Sequence, residues 1–420
     1  MVKMSLVPLR AAVRGALFSR ASRTTMWSML NVLIATGVGM VTARHLGTDL
    51  RGTLAILLSV AGLTVLVGTG GTNVAIRRRL PREETTALQY LQVSGMLFVP
   101  YIVLLQIAVH LVAVWVDPAF FRLPVSLAFT CYGAAFFWSN QLLDLLNATG
   151  QVPLAAATNA FGTAVCLAGV GVVVLFQGEL PEVALAYAAS MVAQLLAALL
   201  LLKSHLRRAA GLAERGRRRL LLDGARLMGL NLGQALTYRA DTILIGALSS
   251  THAVGIYAVA TTPAAVLMLP ATALGQVVMN DAANGKVTLR RILKHVLIVE
   301  MVVGIFAILL WASADFIVVL LFGQDFASAA DVLRILLIAQ LALVPFLVLS
   351  RALVGFGSTW RASVPSLLGA PTLIGCGIAW IPSFGPLGGA WASVVAYSVM
   401  SLVSAAQVAL VRHGAPSRPE

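Results

Sequence analysis

Five side chains able to do chemistry fall inside one apolar stretch. Between Leu230 and Ala247 the sequence sets Asn231, Gln234, Tyr238, Arg239 and Asp241 among leucine, alanine and isoleucine. Read as a helix, these polar groups share an arc of about 160°, with Leu232, Leu236, Ala240, Ile243 and Ala247 outside it. A charge at the centre of a bilayer costs about 2.5–3.5 kcal/mol on insertion scales, so such groups face a bundle interior or a watery cavity. The guanidinium of Arg239 suits an anionic group, above all a phosphate, which its planar fork matches. Asn231, Gln234 and Tyr238, with Asn31 earlier in the chain, are neutral groups that can hydrogen-bond a polar ligand. Asp241 can neutralise Arg239 or hold a coupling ion. The competing reading is an Arg–Asp pair that only locks helix packing, but residues two apart on one helix do not face each other.

Other candidates are more dispersed. Asn140, Asp144 and Asn147 make a second polar stripe, at i, i+4 and i+7. Arg351 occupies the position equivalent to Asp144 in the second half of the chain. Either the two form a salt bridge that closes an inner mouth, or both are interfacial residues in solvent. Arg44, on the opposite side, is grouped with them as a gate residue. Glu300 is an acid within an apolar stretch and a candidate for binding a coupling cation. Gly68-Thr69-Gly70-Gly71 lacks the preceding strand and the Lys-Ser/Thr ending of a phosphate-binding loop. Cys131, Cys166 and Cys376 are scattered, which predicts neither a disulfide framework nor a metal site. The loops between apolar stretches are too short for paired catalytic carboxylates or a His/Arg cluster. The chain is therefore expected not to be an enzyme, with no catalytic residues and no cofactor beyond a proton or sodium gradient.

The elements that position these groups follow from composition. The chain has 420 residues, of which 59% are hydrophobic and 11% charged, with a mean hydropathy of +0.90. No soluble domain buries so much apolar surface, so the class is an all-α polytopic membrane protein. Twelve apolar spans are read, among them Thr24–Ala43, Thr53–Ile76, Phe121–Ala148, Ala225–Leu248, Val254–Ala283, Ile292–Phe322 and Ala327–Gly355. Lys and Arg recur in every second loop, which predicts cytoplasmic termini. This alternation accounts for the net charge of +14 without nucleic acid; the run Arg207–Arg219 suits anionic lipid instead. The expected organisation is a basic amphipathic segment over residues 1–23, a six-helix lobe over 24–203, a basic linker over 204–224, a second six-helix lobe over 225–412, and a tail over 413–420.

The two halves look related. GTDLRGTLAI, from Gly47, lines up with SSTHAVGIYAV when Gly52 is set on Gly255. The stretch beginning at Asn147 lines up with that beginning at Val354, and Ala186-Tyr187-Ala188 with Ala390-Trp391-Ala392. All three share an offset of about 205 residues. Two six-span repeats around a central site are a transporter device. The Gly68–Gly71 break in the second span and Pro263 and Pro270 in the eighth mark a moving gate or a substrate site in that reading.

On these residues the chain resembles the bacterial polysaccharide flippases, the lipid-linked oligosaccharide branch of the superfamily that also contains multidrug extruders. Asn31, Ala43-Arg44, Leu46-Gly47 and Gly52 match in the first span and its loop. Asn231, Arg239, Asp241, Gly246, Gly255, Tyr257 and Ala260 match in the seventh and eighth. Leu50 departs from the aromatic residue usual before the loop glycine, and the second span lacks an acid before its glycines. The resemblance implies two six-helix lobes around a central cavity and alternating access that moves a polyprenyl-diphosphate-linked glycan between leaflets. It also implies a polysaccharide polymerase and a chain-length regulator as partners. A cation antiporter of the multidrug-extruder type is the alternative; it would want a net acidic cavity. A membrane glycosyltransferase or polysaccharide polymerase ranks below both.

Overall fold

The structure is a computed structural model that describes residues 20–82, 85–116, 118, 122–207, 215–283 and 288–413. Among these residues the chain is helical, with no strand. This is the form expected of a chain whose backbone polar groups find no water in hydrocarbon.

The first lobe contains α1 (Arg20–Gly68), α2 (Thr72–Arg79), α3 (Ala87–Trp115), α4 (Leu123–Ala148), α5 (Val152–Leu175) and α6 (Leu180–Arg207). The second contains α7 (Arg215–Leu248), α8 (Thr251–Val266), α9 (Met268–Ala283), α10 (Leu289–Ala312), α11 (Ala314–Phe322), α12 (Ala329–Gly355), α13 (Thr359–Phe384) and α14 (Pro386–His413). Among the described residues eight helices are long and apolar enough to cross a membrane, or nine when the pair α8 and α9, bent by 47°, counts as one.

The order accommodates the twelve expected crossings. α1 has 49 residues, about 74 Å at 1.5 Å per residue, twice what a bilayer needs. It turns at Gly47, whose φ of 69° and ψ of −176° suit a residue without a Cβ, and so supplies two spans. α4 and α7, which carry the polar stripes, complete the set with the bent pair α8–α9 and with α10. This is a multi-pass membrane protein.

Capping fixes several helix starts. Thr86 Oγ1 accepts from Gln89 N, and Gln89 Oε1 accepts from Thr86 N at 3.1 Å, a reciprocal pair that opens α3. Ser250 caps α8 by accepting from Ala253 N.

Inside the first lobe α4 packs on α6, and α5 on both α1 and α6. In the second, α12, α13 and α14 pack together, α9 lies on α12, and α13 on α7. The seam between lobes is formed mainly by α1 against α8 and α7, and by α2 against α7.

At the Gly47 end of the seam the repeat becomes visible in space. A methyl group built on Gly52 would lie 1.8 Å from Thr251 O, and one built on Gly255 would lie 2.0 Å from Thr48 O. Gly52 corresponds to Gly255 and Thr48 to Thr251 at one offset, so the two contacts are mates about a local two-fold. His252 Nδ1 and Asp49 Oδ2, also mates, stand 3.9 Å apart there.

Three expectations need adjustment. The linker read at 204–224 is shorter, because α6 continues to Arg207 and α7 starts at Arg215. Arg and Leu are good helix formers, so charge alone does not break the helix. The breaks in spans two and eight are not at matching depth: one is at Thr69–Gly71, the other at Leu267, a turn away on the repeat offset. The segments read as a surface helix at 1–23 and a tail at 413–420 lie, but for residues 20–23 and 413, outside the described residues.

Candidate functional site

The polar arc of α7 divides between two environments. Arg239 points across the seam into the first lobe. Its Nε is 3.5 Å from where a methyl on Gly62 of α1 would stand, and Tyr132 of α4 is within its electrostatic reach. The side chain is nevertheless exposed, so it faces an opening between the lobes. Asp241 turns the other way and is buried. Its Oδ1 accepts from Thr242 N at 2.6 Å, and its Oδ2 accepts from the Tyr257 hydroxyl of α8 at 2.6 Å. Ser393 Oγ of α14 stands 3.4 Å from the same hydroxyl. The expected Arg239–Asp241 contact is therefore absent among the described residues. The reason is the helix itself: two residues of rotation put the groups on nearly opposite faces. Arg239 is left free of a carboxylate.

The neighbouring candidates separate similarly. Tyr238 packs edge-on against Tyr397 of α14, with ring centroids 6.2 Å apart. Asn31 Oδ1 accepts from the Thr163 hydroxyl of α5 at 2.6 Å and so ties α1 to α5 within the first lobe. The side chains of Asn231 and Gln234 lie outside the described residues. Glu300 is on α10, a peripheral helix that packs on α12 and α9, and is not brought to Arg239.

At the Arg79 end of the seam the pairing also differs from expectation. Asp144 forms an ion pair with Arg77 of its own lobe, not with Arg351. Arg77 lies one turn into α2, which packs on α4, and so reaches Asp144 first. Arg351, on α12, is exposed and leans over Gly275 of α9, where a methyl would meet its Cγ at 3.1 Å. It remains within electrostatic reach of Tyr238 and of Arg77.

Sequence reasoning missed one link here. Arg79 Nε donates to Asp223 Oδ2 at 2.7 Å, joining α2 to α7 across the lobes. Beside it a methyl on Gly71 would stand 2.2 Å from Gly224 O. The available signal was a lone acid between leucines and a glycine in a stretch read as linker. At the opposite end Arg44 Nε donates to Leu321 O at 2.9 Å, and its Nη2 to Leu320 O. These are the unpaired carbonyls at the end of α11, where a cation is favoured. Arg44 thus joins the two lobes.

The seam therefore presents Arg239, Arg351 and Arg77 against Asp144, with Asp241 withdrawn into the second lobe. Its excess charge is positive. Such a surface can take an oxyanion through charge-assisted hydrogen bonds.

The fold is shared with known transporters. The lipid II flippase MurJ, in an inward-closed conformation, superposes with a TM-score of 0.76 at 11% identity, over 92% of this chain and 87% of that one. An inward-facing multidrug resistance transporter of the MATE family gives 0.66 at 16% identity, over 94% and 100%. A transporter from Pyrococcus furiosus, described as having a binding pocket of reverse polarity that suggests a different function, gives 0.62 at 14%, over 93% and 95%. No curated protein sequence matches the chain. The profile of the polysaccharide biosynthesis protein family matches residues 20–279. With its all-helical transporter fold and two-lobed seam, the chain belongs to the polysaccharide biosynthesis protein family.

Proposed function

We propose that this protein is a flippase. It carries a polyprenyl-diphosphate-linked oligosaccharide from the inner to the outer leaflet of a bacterial cytoplasmic membrane, by alternating access, for cell-surface polysaccharide. The observation that carries this reading is Arg239. It is a permanently charged group inside a span, exposed at the lobe seam and free of Asp241. A lipid diphosphate is anionic and must cross a slab of low dielectric, so a cation along its route lowers the barrier. Arg351 and Arg77 at the Arg79 end repeat the sign of that charge.

In this reading the Arg79 end is cytoplasmic, as the alternation of basic loops predicts, and both termini lie there. Arg79–Asp223 then closes the inner side, and Arg44 on α11 the outer side. An ion gradient, of protons or sodium, drives the cycle. A polymerase and a chain-length regulator receive the product.

The test is surface glycan in a flippase-deleted host, normalised to protein level. Arg239→Ala is expected to abolish export while leaving membrane insertion intact, and Arg239→Lys to retain part of it, because it keeps the charge but loses the fork. Full export by Arg239→Ala would remove this residue from the mechanism. Drug tolerance conferred on a sensitive host, with no glycan export, would favour the cation antiporter instead.

A further inference from the structure

We propose that Arg51 is a second anion contact, set at the outer end of the lobe seam and built to take a phosphate group once α1 and α8 part. This rests on the flippase reading for its direction, but its evidence is separate.

Arg51 lies four residues beyond the Gly47 turn. An arginine so close to a helix end ordinarily extends its stem outwards and puts its head in water. This one points inwards. It is 7% exposed. Its Nη2 stands 3.8 Å from where a methyl on Gly39 would be. Gly39 precedes the turn by eight residues, about 12 Å of helix.

The head group is not satisfied there. Nε and Nη1 are buried without a hydrogen-bond partner. Among the described residues no carboxylate pairs with it; the nearby acid Asp49 is turned to His252 instead. The surroundings are hydroxyls. Thr42 Oγ1 donates to Val38 O at 2.8 Å and so offers lone pairs only. Tyr187 of α6 faces both Thr42 and the guanidinium. Thr262 of α8 lies 3.7 Å from the same Gly39 position and closes the pocket from the other lobe.

A buried cation with no counter-ion, and only the Tyr187 hydroxyl to meet part of its head group, is strongly unfavourable, and chains rarely keep one without a use. The repeat does not demand it, since the mate of Arg51 in the second lobe is Val254, fully buried and apolar. What the site lacks is an anion. A phosphate oxygen is the matching chemistry, because it accepts from the two unsatisfied nitrogens together. Thr262 belongs to the opposite lobe, so separating α1 from α8 uncovers the guanidinium towards the seam. The head group then passes from Arg239 in the middle of the route to Arg51 near its outer end. The same chemistry would accept a phosphate borne by a lipid or one free in solution, and the experiment separates the two.

The measurement uses purified full-length protein with three probes: farnesyl diphosphate, farnesol and inorganic phosphate. Export in a flippase-deleted host is read in parallel. Arg51→Met keeps the length and apolar stem and removes the charge. It is expected to accumulate normally, to bind farnesyl diphosphate at least about tenfold more weakly than wild type, and to lose most export. Farnesol binding should not change. Arg51→Lys should recover part of both readouts, and it carries the test if the methionine variant fails to accumulate. An Arg51-dependent response to inorganic phosphate alone assigns the site to a free anion and still supports an anion contact. Unchanged binding of both phosphate probes together with unchanged export in Arg51→Met overturns the proposal. If Arg239→Ala abolishes farnesyl diphosphate binding while Arg51→Met does not, the flippase reading stands and this inference falls. If wild type ignores farnesyl diphosphate, the flippase reading falls and the inorganic phosphate arm alone decides Arg51.

Discussion

At the scale of single residues, the pairing of charges matters more than their presence. Asp241 is held by Tyr257 and Thr242, so its loss should strain the second lobe rather than unpair Arg239. Tyr257→Phe leaves the buried Asp241 Oδ2 without that donor, a loss of about 1–3 kcal/mol. The expected result is a lower melting temperature of the purified protein, and an unchanged melting curve would show that the bond contributes nothing. Asp144 gives a second case. Its partner is Arg77, so exchanging those two charges should preserve more export than neutralising either one. Exchanging Asp144 with Arg351 should be as damaging as the single changes. The reverse pattern would restore the pairing that chain equivalence alone suggested.

At the scale of elements, the crossing of α1 and α8 sets how closely the lobes can approach. Gly52→Ala would place a methyl 1.8 Å from Thr251 O, on rigid backbone, and overpacking of this kind costs about 3 kcal/mol or forces the helices apart. Gly171→Ala on α5 is the matched control, since nothing lies within 4 Å of its added methyl. There the expected change is neutral to slightly stabilising, by about 0.5–1 kcal/mol, because alanine suits a helix interior better than glycine. Expression and melting temperature of the two variants check this. Equal behaviour would show that the crossing is not tight. The polar break at Thr69–Gly71 and the bend at Leu267 interrupt one helix in each lobe, at somewhat different depths.

At the scale of the whole molecule, the lobes are tied at both ends. Arg79–Asp223 and the Gly71–Gly224 approach join one end. Arg44 on α11 and the Gly52–Gly255 approach join the other. The alternating access proposed above would require these ties to break one end at a time. Cysteines at Arg79 and Asp223, joined by a short bifunctional reagent, should stop export, and reductive cleavage of the reagent should restore it. Export that continues in the joined state would exclude this end as a gate. Orientation is tested separately. Cysteine labelling should reach residues 77–82 and 207–219 from the cytoplasm and Asp325 from outside; labelling of 207–219 from the outer face would invert the arrangement.

Much of this was legible in the chain itself. Hydropathy dictated helices, because long apolar runs in a bilayer must satisfy their backbone groups within the run. The repeat was readable because its mates, Gly52 and Gly255 or Thr48 and Thr251, keep one spacing along the chain. Arg239 stood out because a cation within an apolar span needs a reason. What the tertiary structure decided was which groups meet. Periodicity places Arg239 and Asp241 on one helix, but only the helices packed on either side determine that one crosses to Gly62 and the other turns to Tyr257. Equivalence in the repeat set Asp144 against Arg351, whereas α2, lying on α4, supplies Arg77 sooner. Neither Asp223, in the stretch read as linker, nor Arg51 stood out along the chain. Asp223 meets Arg79 from another helix, and Arg51 is closed in by Tyr187 and Thr262 as well as by its own helix; no local pattern encodes contacts between residues more than a hundred positions apart.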